Sequence, residues 1–370
     1  MEFLKCRKES LLTPLTVVSG IVERKHIIPV VANVLLTREN KKVSLTTTDI
    51  EIQIKTSLEI EIEGDDAQLT VNAKKILDIL KALPDDKDVK LSLAENKLSV
   101  ASGKSKFNLQ TLPASDFPQI KSTGDFVKEI KLTQKVFKDL IGKAYYSMAV
   151  QDIRYYLNGL LIISENNQLS VVATDGHRLA FSGVTIESDL GAKKEIILPR
   201  KTVMELQRLL SETDDELKID LNDTQIRFSF NNIELTSKLV EGKFPDYQKV
   251  IPQNYTKHIE INRTLLQQSL QRVAILSNEK FKGVRCLVDK NSMKITSTNT
   301  DQENALEELD ITYDSDALDL GFNVSYLLDV LSHQKAENIV LNLGDTANQS
   351  VLITTQEDAS FKYVVMPMRI

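Results

Sequence analysis

The feature that most constrains this chain is a threefold internal repeat. Copies of the dipeptide Thr-Asp lie 126 residues apart, at Thr48-Asp49, Thr174-Asp175 and Thr300-Asp301. Each copy follows a run typical of a β-strand, and an amphipathic helix pattern begins about 25 residues further on. Because 370 residues are too many for one compact core, the spacing predicts three similar domains.

Helical periodicity occurs twice in each repeat, over 10–20, 71–83, 133–148, 198–210, 262–276 and 322–335. A hairpin pattern follows the second helix of every repeat, over 90–102, 218–230 and 339–355. Thr133 and Asn262 are predicted N-caps, whereas Pro14 suits the first helix only in its first turn. The sequence therefore predicts an α+β fold of three similar domains, 1–122, 128–253 and 254–370, each with two helices on antiparallel sheets.

Composition excludes several classes of protein. No apolar run approaches the ~20 residues of a membrane helix, and residues 1–8 lack a signal-peptide core, so we expect a cytoplasmic protein with no membrane partner. Cys6 and Cys286 are expected to be reduced thiols, although the sequence leaves a disulfide open. The histidines show no metal-ligand spacing, so we expect no metal and no cofactor.

Charge is distributed unevenly between the predicted helices and the rest of the chain. The net charge is −6, which by itself argues against binding to nucleic acid. With the flanking residues Lys131 and Glu260, the helices contain 13 basic and 5 acidic residues, so the remainder carries −14. This polarity favours a phosphate-binding face; the alternative is that solvated helices simply favour lysine.

The number of helices sets a size requirement for a ring around DNA. Helix axes pack ~8–10 Å apart, so six helices around a hole leave roughly 7 Å once helix radii are subtracted. Twelve helices from two chains leave roughly 24 Å, which accepts a duplex about 20 Å wide. If the helices line the hole, the sequence predicts a head-to-tail homodimeric ring.

No catalytic constellation accompanies these features. Asp175 and His177 resemble part of a hydrolytic triad, but no Ser or Cys nucleophile motif accompanies them. The segment 103–105 resembles the end of a phosphate-binding loop, yet Leu98 stands in place of its first glycine. We therefore expect a non-enzymatic protein; the competing interpretation is an acidic, monomeric enzyme or scaffold that binds no DNA.

Five long motifs occur along the chain, at 151–159 (QDIRYYLNG), 174–180 (TDGHRLA), 236–247 (TSKLVEGKFPDY), 275–281 (ILSNEKF) and 363–370 (YVVMPMRI). In this order they resemble the family of the bacterial DNA polymerase III beta subunit, the beta sliding clamps. The resemblance runs along the whole chain and implies the DNA-clamp fold, with helices inside and sheets outside a homodimeric ring. It also implies a processivity factor for DNA replication that has no catalytic site of its own.

The resemblance implies a hydrophobic pocket between the second and third domains, where partners bind through short linear motifs. Its walls correspond to Leu157, Thr174, Gly176, His177, Arg178, Leu179, Pro245, Val250, Ser350, Val364, Met366, Pro367, Met368 and Arg369. Met and Leu give an adaptable apolar surface, and the two arginines are expected to bind peptide carbonyls or acids. The implied partners are the replicative polymerase alpha subunit, the clamp-loader complex, and other polymerases and repair proteins.

Contacts to double-stranded DNA and to a second chain are also implied by the resemblance. The implied DNA-binding residues are Arg24, Lys25, Lys74, Gln151, Tyr155 and Tyr156, although tyrosines are more often core residues. Across the dimer contact, Phe107 and Leu109 of one chain are expected to pack on Ile275 and Leu276 of the other. Lys104 and Lys106 are expected to face the acids Glu303, Glu307 and Glu308.

Overall fold

The structure is a computed structural model that describes residues 1–23, 27–39, 41–58, 65–122, 124–126 and 128–370. Its internal contacts divide the chain into two compact units. The first unit contains Met1–Phe137 and Met204–Leu239, and the second contains Lys138–Val203 and Val240–Ile370. Among the helices of these residues, none combines the length and apolar character of a membrane span.

The first unit contains a twelve-stranded antiparallel sheet. Its strands are β1 (Glu2–Arg7), β2 (Asn33–Glu39), β3 (Lys42–Thr48), β4 (Ile52–Ser57), β5 (Ala67–Asn72), β6 (Asp88–Ala94), β7 (Lys97–Ser102), β8 (Ser105–Leu112), β9 (Lys128–Thr133), β14 (Glu216–Leu221), β15 (Gln225–Phe230) and β16 (Ile233–Lys238). Their order is β1-β6-β7-β8-β5-β2-β3-β4-β16-β15-β14-β9. The sheet runs from the first repeat into the second because β4 pairs with β16.

The second unit contains two sheets. The first sheet consists of β10 (Gly159–Glu165), β11 (Gln168–Thr174), β12 (Arg178–Thr185), β13 (Lys194–Pro199), β17 (Lys257–Asn262), β22 (Asn338–Leu343), β23 (Val351–Thr354) and β24 (Lys362–Val365). The second consists of β18 (Gly283–Asp289), β19 (Ser292–Thr298), β20 (Asn304–Asp310) and β21 (Leu318–Asn323). Their orders are β13-β10-β11-β12-β24-β23-β22-β17 and β20-β19-β18-β21, and β12 pairs with β24.

All six predicted helices are present: α1 (Lys8–Val18), α2 (Ala73–Ala82), α3 (Gln134–Gly142), α4 (Arg200–Leu209), α5 (Arg263–Ala274) and α6 (Val324–Ser332). Asn262 caps α5, since its side chain accepts a hydrogen bond from the amide of Leu265 at 3.0 Å. Pro14 lies inside α1, beyond its first turn, and the predicted helix forms nevertheless. The three predicted hairpins are also present, as β6–β7, β14–β15 and β22–β23.

Strand pairing corrects the third copy of the repeat. Thr174 ends β11 and pairs with Leu179, whereas the residue that ends β19 is Thr298, paired with Asn304. Asn299 takes the role of Asp175, because its side chain accepts hydrogen bonds from two backbone amides that follow it. The predicted equivalence of Thr300-Asp301 with the other two copies is therefore wrong, since the strand of the third repeat ends two residues earlier.

Candidate functional site

The turn between β11 and β12 is held in shape from both sides. The carboxylate of Asp175 accepts hydrogen bonds from the amides of His177 at 2.9 Å and Arg178 at 3.1 Å. Gly176 has a φ of +91°, and a Cβ there would lie 3.2 Å from Nη2 of Arg154. That same guanidinium donates to the carbonyl oxygen of Asp175. Glycine is therefore favoured here by its backbone conformation.

The side chain of Arg178 is 9% exposed and bonded on every side. Nε donates to Asp175 at 3.1 Å, Nη1 to Asp329 at 2.6 Å, and Nη2 to the carbonyl oxygen of Tyr146 at 2.8 Å. The guanidinium carbon also lies 4.4 Å from the ring centroid of Tyr326, a cation–π distance. Each guanidinium nitrogen thus donates to an oxygen of the protein, and binding of peptide carbonyls by Arg178 stays a prediction.

An apolar wall adjoins this turn. Leu157, Leu179 and Val364 are buried in one cluster with Phe244, and Val250 packs against it. Leu179 lies opposite both Thr174 and Val364 in the sheet. The structure therefore brings together the apolar residues predicted for the pocket from both sides of the β12–β24 pairing.

The other predicted pocket residues lie nearer the solvent. Met366 is 39% exposed, and its amide donates to the carbonyl oxygen of His177 at 2.9 Å. Those that are exposed are Gly176, His177, Pro245 and Arg369, and those partly buried are Ser350, Pro367 and Met368. Met368 and Arg369 also line an open groove of about 920 Å³ over β18, β19 and β21. The predicted wall is therefore continuous with a second concave surface.

A polar and aromatic cluster adjacent to Arg178 was missed by sequence reasoning. The ring of His333 stacks on Tyr146 at 4.4 Å and contacts the hydroxyl of Tyr145 at 3.1 Å. Burial raises the pKa of Tyr146 well above its usual value. One signal in the sequence pointed to this cluster. The second helix of every repeat carries an acid at the same position, namely Asp78, Glu205 and Asp329.

Four of the six predicted DNA-binding residues lie within the described part of the chain. Arg24 and Lys25 lie outside the described residues. Lys74 is partly buried on α2, while Gln151 is exposed with a φ of +55° and Tyr155 is 57% exposed. Tyr156 is partly buried, and its ring centroid lies 5.8 Å from that of Tyr155. The loop at 150–155 therefore exposes two of the expected side chains.

Arg154 and Asp152 fix the shape of the loop at 150–155. Two nitrogens of the Arg154 guanidinium donate to the carboxylate of Asp152, at 3.0 and 2.8 Å. These hydrogen bonds lower the pKa of Asp152 to about 2. The ion pair is intact at neutral pH, so the loop keeps its apolar side chains in solvent, with Ile153 97% exposed.

The predicted dimer residues lie along two strand edges. Within the described ranges, residues 105–110 of β8 pair only with β7, and β20 pairs only with β19. Apolar side chains are exposed on these edges, namely Phe107 (36%) and Leu306 (60%), and Ile275, which follows α5, is 78% exposed. Leu109 and Leu276 are partly buried, and Lys104 and Lys106 are exposed.

The acids expected opposite these lysines have partners inside the chain. Glu307 pairs with Arg272 at 2.6 Å, Glu308 lies 3.7 Å from Lys294, and the carboxylate of Glu303 accepts a hydrogen bond from the side-chain amide of Asn299 at 2.6 Å. All three are on the surface of β20 or just before it. Any contact with a second chain therefore has to share or replace these bonds.

Cys6 and Cys286 are free thiols. Burial raises the pKa of Cys6 to about 11 and that of Cys286 to about 12, so both stay protonated at neutral pH. Within the part of the chain that the structure describes, no cluster of three His, Cys, Asp or Glu side chains is suited to hold a metal ion.

Comparisons with known proteins identify relatives along the whole chain. Three family models match, namely the N-terminal, central and C-terminal domains of the DNA polymerase III beta subunit, over residues 1–121, 131–246 and 248–369. The beta sliding clamp of Escherichia coli strain K12 is 43% identical over 365 residues, 98% of each chain.

Solved structures agree with these matches. A crystal structure of the DNA polymerase sliding clamp from Pseudomonas aeruginosa with ligand has a TM-score of 0.94 at 40% identity, covering all of both chains. Another, of the sliding clamp from the same organism bound to griselimycin, has a TM-score of 0.93 at 40% identity with the same coverage. The likeness in fold therefore extends over the entire chain.

Proposed function

The chain belongs to the DNA polymerase III beta subunit family, the beta sliding clamps, and we propose that it works as a head-to-tail homodimer that encircles duplex DNA. Its function is that of a processivity clamp for DNA polymerase. The observation that carries the proposed dimer is the pair of open strand edges on β8 and β20.

Two equivalent strand pairings inside the chain support this assembly. Where β4 meets β16, Ile54 lies opposite Leu235, and where β12 meets β24, Ala180 lies opposite Tyr363. All four side chains are fully buried. One kind of antiparallel edge contact is thus used twice within the chain.

Strands β20 and β8, each with an open edge, correspond to the two strands of these pairings. Phe107 of β8 follows a hairpin and lies opposite Val100, as Leu235 lies opposite Phe228. Ala305 of β20 lies opposite Ser297, as Ile54 lies opposite Thr47. Extending the pattern sets Phe107 of one chain opposite Ala305 of the next, so that the exposed apolar edge becomes buried.

Charge supports the same register. Counting from Phe107 opposite Ala305, the register sets Lys104, in the turn before β8, opposite Glu308, and Lys106 opposite Leu306. Opposite charges facing each other across two strands stabilise the pairing by about 0.2–1 kcal/mol. Ile275 and Leu276, which follow α5, supply the apolar contact for Phe107 and Leu109. Because the contact is heterologous, two copies close a ring only if both edges are used.

Light scattering at micromolar concentration tests the dimer. Two chains of 41.7 kDa give a particle of about 83 kDa. A particle of 41.7 kDa would contradict the proposed ring and favour the monomeric scaffold that the sequence left open. As a matched pair of variants, Ile275→Ala with Leu276→Lys removes the contact, whereas Leu265→Lys changes a 44% exposed leucine on α5 outside it.

The proposed contacts to DNA are electrostatic and topological. The residues are those predicted above, with Gln151 and Tyr155 on the exposed loop. A closed ring holds DNA by encircling it, so direct affinity for linear DNA is weak and falls as salt rises. We expect retention on circular DNA, after loading by an ATP-dependent partner, to exceed retention on the same DNA cut once. Equal retention on both would contradict the ring.

No catalytic activity is proposed for this chain, and the ATP needed for loading is hydrolysed by the partner. An ATPase assay on the purified chain tests this directly: measurable turnover that follows the chain through purification would contradict it.

Action on DNA inside the cell, in the cytoplasm, remains a prediction from the family.

The proposed site for partner peptides is the apolar wall around Leu179, Val364 and Met366. Replicative polymerase, clamp loader and repair proteins would insert short linear motifs there, because an unbranched methionine side chain on an apolar surface adapts to different side chains. The matched Pseudomonas aeruginosa clamp bound to griselimycin supplies a probe. Calorimetry with griselimycin should give saturable binding to this chain.

Variants localise that binding. Met366→Lys puts a charge into the wall and should lower griselimycin affinity at least tenfold, because the ammonium loses hydration without gaining a partner. Leu265→Lys, on α5, should bind as the unchanged chain does. Saturable binding that survives Met366→Lys would mean that the pocket lies elsewhere.

A further inference from the structure

Arg178 and Asp329 form a bridge beside the proposed pocket. Arg178 begins β12, and Asp329 belongs to α6, 151 residues later in the chain. Nη1 of Arg178 lies 2.6 Å from the carboxylate of Asp329, and the same guanidinium covers the ring of Tyr326 on the preceding turn of α6. One side chain thus fixes the position of the α6 surface relative to β12.

Both walls of the pocket depend on this bridge. His177 precedes Arg178, and its carbonyl oxygen accepts the amide hydrogen of Met366. Its ring also lies 6.5 Å from that of Tyr326, nearly parallel at 19°. A displacement of Tyr326 or of the turn between β11 and β12 therefore also shifts His177 and Met366.

The corresponding junction between the first and second repeats places an apolar side chain where Arg178 stands, and its ion pair joins Glu205 and Arg208 within α4. The residue at the same place there is Ile52, which is 1% exposed and pairs with Ser237 as Arg178 pairs with Val365. Burying an ion pair rarely improves stability over a well-packed apolar side chain. The arginine in the second repeat is therefore explained better by the geometry it imposes than by the stability it adds.

We propose that Arg178 and Asp329 act as a positioning pair, which sets the width of the peptide pocket without binding the peptide itself. The inference rests on the proposed peptide-binding function. It assigns a role to Asp329, which lies outside the predicted wall, and it changes the role of Arg178 from a ligand of the peptide to a support of the wall.

The variant Asp329→Asn separates the two roles of Arg178. The amide keeps the size of the carboxylate and can still accept one hydrogen bond, but the charge is lost. If Arg178 positions the wall, griselimycin affinity falls about tenfold, the scale of a charge-assisted hydrogen bond. If Arg178 binds the peptide directly, the released guanidinium binds as well as before or more tightly.

Asp139→Asn is the matched control. Asp139 pairs with Lys143 at 2.8 Å and with Lys335 at 3.2 Å, so the variant removes the same charge from a nearby ion pair that does not contact Tyr326. We expect its affinity for griselimycin to stay within twofold of the unchanged chain. Thermal unfolding and light scattering of both variants verify that each is folded and has the same mass.

A second variant removes the charges together. Arg178→Met with Asp329→Leu replaces the ion pair by apolar side chains. A positioning role predicts that the double variant binds griselimycin more tightly than Arg178→Met alone, since the unpaired Asp329 is gone.

The outcomes are distinct. No griselimycin binding by the unchanged chain overturns the proposed pocket and this inference with it. Normal binding by the unchanged chain and by Asp329→Asn overturns only the inference. Equal weakening by Asp329→Asn and Asp139→Asn also overturns it, because the effect would then be a general loss of stability.

Discussion

Strands β4 and β16 pair with each other within the chain, whereas the corresponding strands β20 and β8 have open edges. In the closed pair, Ile54 and Leu235 are fully buried, whereas the counterpart Phe107 is 36% exposed and Ala305 is partly buried. The sequence of β8 has not become that of a protective edge strand, which would carry charge or proline at such a position. This difference fits the proposed dimer, in which the partner of Phe107 lies on a second chain.

The second closed pairing differs from the first in chemistry. Around β12 and β24, the buried apolar pair of Ala180 and Tyr363 is accompanied by Arg178, Asp175 and Asp329. Around β4 and β16, the matching position holds Ile52. The acid that corresponds to Asp329 at that junction is Glu205, which pairs with Arg208 of its own helix. The two junctions thus hold their ion pairs in different places, and the proposed pocket lies beside Arg178.

The largest expected effect comes from one substitution made on each side of the comparison. Leu235→Asp buries an unpaired carboxylate and should cost on the order of 3–5 kcal/mol of folding free energy, enough to unfold much of the chain. Phe107→Asp should leave the chain folded but monomeric. Circular dichroism and light scattering of the two variants measure this, and unfolding of both would mean that β8 is an ordinary core strand.

Charge reversal sharpens the proposed register. Lys104→Glu sets two like charges opposite each other and should weaken the dimer about tenfold, with Glu308→Lys in the same chain restoring it. Sedimentation across a concentration series measures both dissociation constants. Failure of the second change to restore the dimer would point to a different register of β8 on β20.

Acid should weaken the carboxylate cluster around Lys143, in the second unit. Partial burial acts to raise the pKa of Asp358, but the hydrogen bonds from Lys143 and Ser360 outweigh it and leave the pKa lowered. Asp139 shows the same balance with Lys143 and Lys335. Because the folded pKa values are lowered, this stabilisation is present above the unfolded value of about 3.9 and is lost as pH falls through the folded values.

The measurement is thermal unfolding of the unchanged chain and of Asp139→Asn with Asp358→Asn between pH 7 and pH 2. We expect the unchanged chain to be more stable at pH 7 and the difference to vanish toward pH 2. A difference that is constant with pH would mean that these carboxylates contribute through packing and not through charge.

The smallest expected effect concerns packing within the third repeat. A cavity of about 30 Å³ is lined only by side chains of apolar character, Cys286 among them. The counterpart of Cys286 in the second repeat is Ile162, by the pairing of β10 with β13 and of β18 with β21. Cys286→Val should stabilise the chain by about 0.5–1 kcal/mol, measured by urea unfolding; destabilisation would mean that the cavity cannot accept the added methyl group.

Local patterns predicted the elements well because their causes are local. Asn262 at the start of α5 and the hairpins after α2, α4 and α6 follow from capping and alternation over a few residues. The third Thr-Asp pair was misleading, since a shift of two residues in where β19 ends leaves no mark on a dipeptide spacing. The family motifs led to the apolar wall around Leu179 and Val364, which the structure brings together.

The sequence by itself determined the three repeats, the helix and strand patterns, and the unequal distribution of charge, because each is a property of neighbouring residues or of a count. Only the tertiary structure decided what Arg178 does, since its ion pair joins residues 151 positions apart and no local preference selects that partner. The same holds for Phe107, whose exposure depends on whether another strand lies beside β8. Burial is a property of the assembled fold, and for that reason a side chain's role could be read only once its neighbours were known.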